Sequence, residues 1–272
     1  MCCGNSARMV RAILLGIFAL AGAAVAGPQT ISYGRFGEVS VYRSLPEPRE
    51  LVLFVSGDGG WNLGVIAMAE RLAGLGAVVA GVDIRHYLAE LEKSTEPCVA
   101  PASDLENLSR NLQTQLGIKP NLQPTLVGYS SGATLVYAAL AEAQQGVFKG
   151  SLSIGFCPDL DLKKTLCKGS GIEATPRHSP KGALQGVDLL PAKILHGRWI
   201  SLQGEIDQVC PAAQTQDFIA KVPGGEIVLL PKVGHGYSVE KNWVPQFEAA
   251  FDRLTAVTPR STALMRGRPL TR

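Results

Sequence analysis

A serine, an aspartate and a histidine stand where acyl-transfer chemistry would need them. Ser130 is the centre of Gly128-Tyr129-Ser130-Ser131-Gly132, Asp207 ends Gly204-Glu205-Ile206-Asp207, and His235 lies in Val233-Gly234-His235-Gly236. A hydroxyl is a poor nucleophile at neutral pH. Its attack on a carbonyl needs a base to take the proton and a carboxylate to orient that base and stabilise its cation. The G-x-S-x-G pattern places such a serine on a sharp strand-to-helix turn, and the glycines on either side relieve the crowding there. Asp159 is the rival acid, because it also follows an apolar run. Of the four histidines, His86, His178 and His196 do not follow the last apolar run, whereas His235 does.

A tetrahedral intermediate also needs donors for its oxyanion. The amide after the nucleophile, that of Ser131, is one candidate. The second is expected in the loop after an early strand. Ser56-Gly57-Asp58-Gly59-Gly60-Trp61 occupies that place, and the amide of Asp58 or Gly59 is the expected donor. A carboxylate facing a developing oxyanion would oppose the reaction. The Asp58 side chain is therefore expected to point away or to meet a positive group on the substrate. Asp58, Trp61 and Tyr129 are the candidate substrate-binding residues, and no metal or other cofactor is expected.

These residues need a scaffold that brings three loops together. Leu51–Val55, Ala77–Val82, Thr125–Val127, Leu152–Phe156, Trp199–Gly204 and Glu226–Leu230 are short apolar runs of the kind buried on both faces of a sheet. Between them, helices are expected at Trp61–Leu72, Ala102–Leu116, Ala133–Ala143, Ala212–Ala220 and Trp243–Ala256. Ser103 and Glu106 read as a capping box for the second of these. Ile31–Arg43 reads as an early strand or hairpin, with turns at Gly34 and Gly37. Cys157–Lys193 is rich in Gly, Pro and Lys and reads as an excursion or small cap over the site. Alternating strands and helices predict an α/β class, specifically an α/β-hydrolase fold: a mostly parallel central sheet with helices on both faces. Ser130, Asp207 and His235 would then share the carboxyl edge of the strands.

The chain has 272 residues, 46% of them hydrophobic, enough for one large domain with a full core. Arg8 and Arg11, the apolar stretch 12–25 and Ala24-Val25-Ala26 read as a cleavable export signal, with an uncleaved membrane anchor as the alternative, so the expected organisation is signal 1–26, catalytic domain 27–257 and tail 258–272. Loss of Arg8 and Arg11 lowers the formal charge from +3 to +1, and no nucleic-acid binding is expected. Cys2 and Cys3 leave with the signal. Cys98, Cys157, Cys167 and Cys210 remain, with no zinc-like spacing. An oxidising compartment favours two bridges among them, in any of three pairings. The tail carries Arg260, Arg266, Arg268 and Arg272 and no acid. It reads as a disordered end, with peripheral contact to an anionic membrane surface as the alternative.

The segments Ser56–Trp61 and Gly128–Ala133, with Asp207 and Gly234-His235-Gly236-Tyr237, resemble the VirJ/AcvB family of bacterial virulence proteins. The likeness runs over nearly the whole mature chain, and Ser56–Trp61 is its specific element. It implies a periplasmic α/β-hydrolase with Ser130 as nucleophile, Asp207 as acid and His235 as base. AcvB members are linked to removal of the amino acid from aminoacyl-phosphatidylglycerol, chiefly the lysyl form. VirJ members are linked to type IV secretion. The implied activity is hydrolysis of the aminoacyl ester of such a phospholipid, with Asp58, Asp159 or Asp161 available to pair with a lysyl ammonium. A general envelope carboxylesterase or peptidase is the second reading, and a hydrolase-like binding protein assisting type IV secretion components is the third. A single catalytic domain is expected, without the additional N-terminal region of the longer AcvB-type proteins.

Overall fold

The computed structural model describes Met1 and residues 28–120 and 122–256. The rest of the predicted signal and the basic tail lie outside the described residues.

Among the described residues the first elements form a hairpin, β1 (Gln29–Ser32) and β2 (Glu38–Arg43), turned at Gly34 and Gly37. It then alternates: β3 (Glu50–Val55), α1 (Leu63–Gly74), β4 (Ala77–Val82), α2 (Ile84–Glu92), α3 (Pro101–Gln115), β5 (Thr125–Tyr129), α4 (Ser131–Glu142) and β6 (Gly150–Ile154). An excursion follows, made of β7 (Asp159–Leu160), β8 (Ala174–His178) and β9 (Leu184–Leu189). The chain returns through β10 (Arg198–Gly204), α5 (Ala212–Ile219), β11 (Gly225–Leu230) and α6 (Val244–Thr255). The main sheet has the order β1-β2-β4-β3-β5-β6-β10-β11. Its six strands from β4 to β11 are parallel, and the hairpin closes one edge antiparallel. This is the α/β-hydrolase arrangement that the alternation predicts.

Side-chain alternation divides the interior into two layers. Leu51, Leu53 and Val55 of β3 face one way, into a core shared with α2, α3, α4 and α5. Val52 and Phe54 face the other way, against α1 and α6. In α1, Val65, Met68, Ala69, Leu72 and Ala73 are buried, the i, i+3, i+4, i+7, i+8 stripe of a helix lying on a sheet.

Three local expectations change. Helix α1 starts at Leu63, not Trp61, because Asn62 is the N-cap and its side chain accepts from the Gly64 amide at 3.3 Å. Helix α2 is additional. Asp83 caps it through the Arg85 amide, and Ile84, Tyr87, Leu88 and Leu91 bury its apolar stripe. Helix α3 has no capping box: Ser103 lies inside it, and Glu106 pairs instead with Arg110 one turn on. The buried Glu142 of α4 serves that end, accepting from the Ala102 amide at 2.9 Å. Burial pushes the Glu142 carboxyl up to about 7. The excursion is a separate three-stranded antiparallel sheet. The bridges pair Cys98 with Cys167 and Cys157 with Cys210. Among the described residues no helix is long and apolar enough to cross a membrane.

Candidate active site

Strand β3 has β4 on one side and β5 on the other, so the direction of the crossovers reverses between β3 and β5. Loops leaving the carboxyl ends at such a switch diverge and open a crevice. The Ser56–Trp61 loop follows β3, and the elbow follows β5. Ser130 has φ 54° and ψ −124°, a conformation that costs a non-glycine residue about 1–3 kcal/mol. The turn is held from β6, where the Ile154 carbonyl accepts from the Ser130 amide at 2.9 Å. Close packing explains the flanking glycines. A Cβ on Gly128 would lie 2.1 Å from the Gly132 oxygen, and one on Gly132 would lie 2.3 Å from the Val55 oxygen.

The three chemical groups meet above this turn. Ser130 Oγ is 2.9 Å from His235 Nε2, and His235 Nδ1 is 2.8 Å from Asp207 Oδ2. A carboxylate only accepts, so the proton on the imidazole belongs on Nδ1, and Nε2 is left to accept the serine proton. The Asp207 side chain is fully buried. Its Oδ1 accepts from the amides of Val209 and Cys210, both at 2.9 Å, and Gln203 Nε2 donates to Oδ2 at 3.3 Å. These bonds aim the carboxylate at the imidazole. Asp159 is placed elsewhere: it is exposed on the small sheet and pairs with Arg177 at 3.4 Å, beside Asp161 and Asp188. The rival acid therefore does not reach His235.

A family profile described as bacterial virulence protein (VirJ) matches residues 49–218, more than half of the chain. The chain belongs to the VirJ family. The matched stretch includes the Ser56–Trp61 loop, the elbow and Asp207. Solved structures that resemble this VirJ-family protein include esterases. Thermogutta terrifontis esterase 2, phosphorylated by paraoxon, is 16–18% identical across its several forms; the paraoxon form is 17% identical, with TM-score 0.58, covering 85% of this chain and 94% of its own. Est1E from Butyrivibrio proteoclasticus is 13% identical, with TM-score 0.52 and coverage of 85% and 96%. At such identity the likeness is one of fold. No functionally curated protein matches the chain in sequence.

In this VirJ-family protein the Ser56–Trp61 loop lies directly against the elbow. A Cβ on Gly57 would come within 2.9 Å of Ser130 Cβ. Ser131 Oγ donates to Asp58 Oδ1 at 2.6 Å, so the exposed Asp58 carboxylate is fastened to the residue after the nucleophile. The Asp58, Gly59 and Ser131 amides have no backbone acceptor among the described residues. Trp61 supports the loop from below. Its ring lies over Gly81, its Nε1 donates to Tyr42 Oη at 3.0 Å, and it meets Phe54 edge-on at 5.6 Å. That packing accounts for the tryptophan without a substrate.

The histidine loop has its own supports. Tyr129 Oη donates to the His235 carbonyl at 2.7 Å. Burial first, and then the Asp207 charge, raise the Tyr129 phenol, so it remains a donor. Tyr237 Oη donates to the Leu202 carbonyl at 2.7 Å, and Trp243 Nε1 donates to the Tyr237 carbonyl at 2.7 Å. Burial raises the Tyr237 phenol strongly for the same reason. Gln203, Tyr237 and Thr134 are absent from the sequence-derived candidates. Tyr237 does stand in the sequence motif Gly234-His235-Gly236-Tyr237, without a role, and Gln203 is, with Ser201, a polar residue in a mostly apolar run. Asp207, Cys210 and His235 offer metal-ligand atoms within 4.8 Å of one another. Cys210 Sγ is bonded to Cys157, and His235 Nδ1 faces Asp207. Both of these atoms are thus already engaged within the protein.

Proposed function

We propose that this VirJ-family protein is an exported serine hydrolase that cleaves a carboxylic ester. The observation that carries this reading is the unbroken relay from Ser130 Oγ through His235 to Asp207, with both links under 3 Å. In this reaction Ser130 attacks the carbonyl carbon as His235 Nε2 takes its proton. The amides of Ser131 and of Asp58 or Gly59 hold the oxyanion. His235 then protonates the departing alcohol. A water molecule, deprotonated by the same nitrogen, attacks the acyl-enzyme and releases the acid. The two disulfides support an oxidising, periplasmic location.

The substrate we propose is the aminoacyl ester of aminoacyl-phosphatidylglycerol, with the lysyl form foremost. The likeness of Ser56–Trp61 and the elbow to the VirJ/AcvB family, whose AcvB members are linked to this hydrolysis, supports this choice. So does the Asp58 carboxylate, which is exposed at the rim and tied to Ser131, where it can meet an ammonium on the acyl group. The departing alcohol would be the glycerol hydroxyl and the product the free amino acid. The test compares envelope lipids in a deletion strain complemented with wild type or Ser130→Ala. Accumulation of aminoacyl-phosphatidylglycerol in the deletion and Ser130→Ala strains, cleared by wild type, is expected. Equal lysyl- and alanyl-phosphatidylglycerol in every strain would remove the lipid substrate.

A further inference from the structure

Core packing holds Ser130 and His235, but it does little for the loop that carries the acid. Ile206 and Val209 flank Asp207 and are 62% and 65% exposed. Between Asp207 and the start of α5, Cys210 is the buried side chain. Cys210 is bonded to Cys157, which follows β6, the strand next to β10 in the sheet. The same Cys210 donates its amide to Asp207 Oδ1 at 2.9 Å, and its carbonyl accepts from Gln203 Nε2 at 2.6 Å. The other half of the bridge reaches the nucleophile. Thr134 Oγ1 donates to the Cys157 carbonyl at 2.6 Å, and the Thr134 amide donates to the Ser130 carbonyl at 3.2 Å. A chain of contacts therefore runs from Ser130 through Thr134, Cys157 and Cys210 to Asp207.

We propose that the Cys157–Cys210 disulfide is a positioning device for the catalytic acid, so that ester hydrolysis depends on this bond being oxidised. The inference rests on the serine-hydrolase reading above. Without the bridge, the exposed loop loses its covalent tie to the segment after β6, and the nearest remaining link is the Thr215 Oγ1 bond to the Phe156 carbonyl at 2.9 Å, beyond the loop in α5. The two amides that aim Oδ1 then move, and His235 is no longer held in its orientation and tautomer. Cys157 is half-buried, so a small dithiol can reach its sulfur. A dithiol thiolate attacks Cys157 Sγ and Cys210 leaves as thiolate, taking up a proton. The reagent's second thiol then displaces Cys157, leaving two cysteine thiols and a cyclic disulfide of the reagent. Cys98–Cys167 supplies an internal control. It ties the segment before α3 to the excursion, where Cys167 donates its amide to Val99, and none of its recorded partners belongs to the relay.

The experiment measures kcat and KM on a short-chain nitrophenyl ester for wild type, Cys157→Ser/Cys210→Ser and Cys98→Ser/Cys167→Ser, each also in an Asp207→Asn background. Removing the 157–210 bridge is expected to lower kcat about ten- to a hundredfold, the scale of a small misplacement of catalytic groups, and to leave KM within about twofold. In the Asp207→Asn background the same change is expected to cost almost nothing further, because its effect acts through that carboxylate. A positioning role predicts this non-additivity, and general destabilisation does not. If the double serine variant does not fold, dithiol reduction and reoxidation of folded Cys98→Ser/Cys167→Ser protein, which keeps the Cys157–Cys210 bridge, give the comparison instead, with activity lost and then regained. Full kcat without the bridge would overturn the inference. An equal loss on removing Cys98–Cys167, or an undiminished loss in the Asp207→Asn background, would also overturn it. Oxidised wild type that neither turns over esters nor reacts with a fluorophosphonate would instead overturn the hydrolase reading, and this inference with it.

Discussion

Replacing Gly128 by alanine tests the elbow at its tightest point. The new Cβ would lie 2.1 Å from the Gly132 oxygen, 2.4 Å from its carbonyl carbon and 2.7 Å from the Ala133 nitrogen. All three atoms are backbone in the first turn of α4, so no rotamer change relieves the overlap. Strand and helix must part by about 1 Å to reach an ordinary contact distance, and overpacking on this scale costs about 1–3 kcal/mol. The same shift carries Ser130 away from its 2.9 Å contact with His235 Nε2. A misplacement of about 1 Å costs about a hundredfold in rate. Gly128→Ala is therefore expected to melt several degrees lower and to hydrolyse a nitrophenyl ester about a hundredfold more slowly. Gly74→Ala is the matched control, since a Cβ there meets nothing within 4 Å. Its kcat and melting temperature are expected to stay near wild type. Wild-type kcat in Gly128→Ala would refute the argument that close backbone approach fixes the nucleophile.

Two further outcomes follow from neighbouring contacts. Tyr129→Phe removes the 2.7 Å bond to the His235 carbonyl. The expected cost is about 1 kcal/mol of stability, read by urea denaturation, with a fall in kcat of about tenfold and little change in KM. Glu142 gives a pH dependence remote from the chemistry. Its carboxyl lies at about 7 in the folded protein against an ordinary 4.5, so the folded state binds the proton more tightly. Its contribution is full below pH 4.5 and is lost as pH rises through 7. Glu142→Gln, which keeps an acceptor for the Ala102 amide, is expected to remove this slope and to be more stable than wild type above pH 7 by at most about 3 kcal/mol. Parallel stability–pH curves for the two proteins would contradict that.

Much of the scaffold is legible in the sequence because it rests on short-range patterns. Runs such as Leu51–Val55 are apolar at every position because both faces of β3 are covered. Glycines at 128 and 132 mark a turn that admits no side chain there. The order of Ser130, Asp207 and His235 follows from strands that end on one edge. What stays hidden depends on partners distant in sequence. Ser103 and Glu106 have capping-box spacing, yet Glu142, 40 residues from Ala102, takes over the helix end. The Cys157–Cys210 pairing follows from the adjacency of β6 and β10, which no local pattern reveals. Trp61 suggests a binding surface by type alone, whereas its contacts with Gly81, Tyr42 and Phe54 are those of a packing residue. Helix α2 is a different case. Its period-3.6 stripe and Asp83 cap are present in the sequence, in the shadow of the strand before it.

The central claim is that Ser130 is a nucleophile activated by His235. The most direct measurement treats oxidised, folded protein with a fluorophosphonate and locates the adduct by peptide mass. The account predicts one adduct, on Ser130, and none after His235→Ala over the same interval. A folded protein that stays unmodified, or that carries the label on another residue, would contradict it.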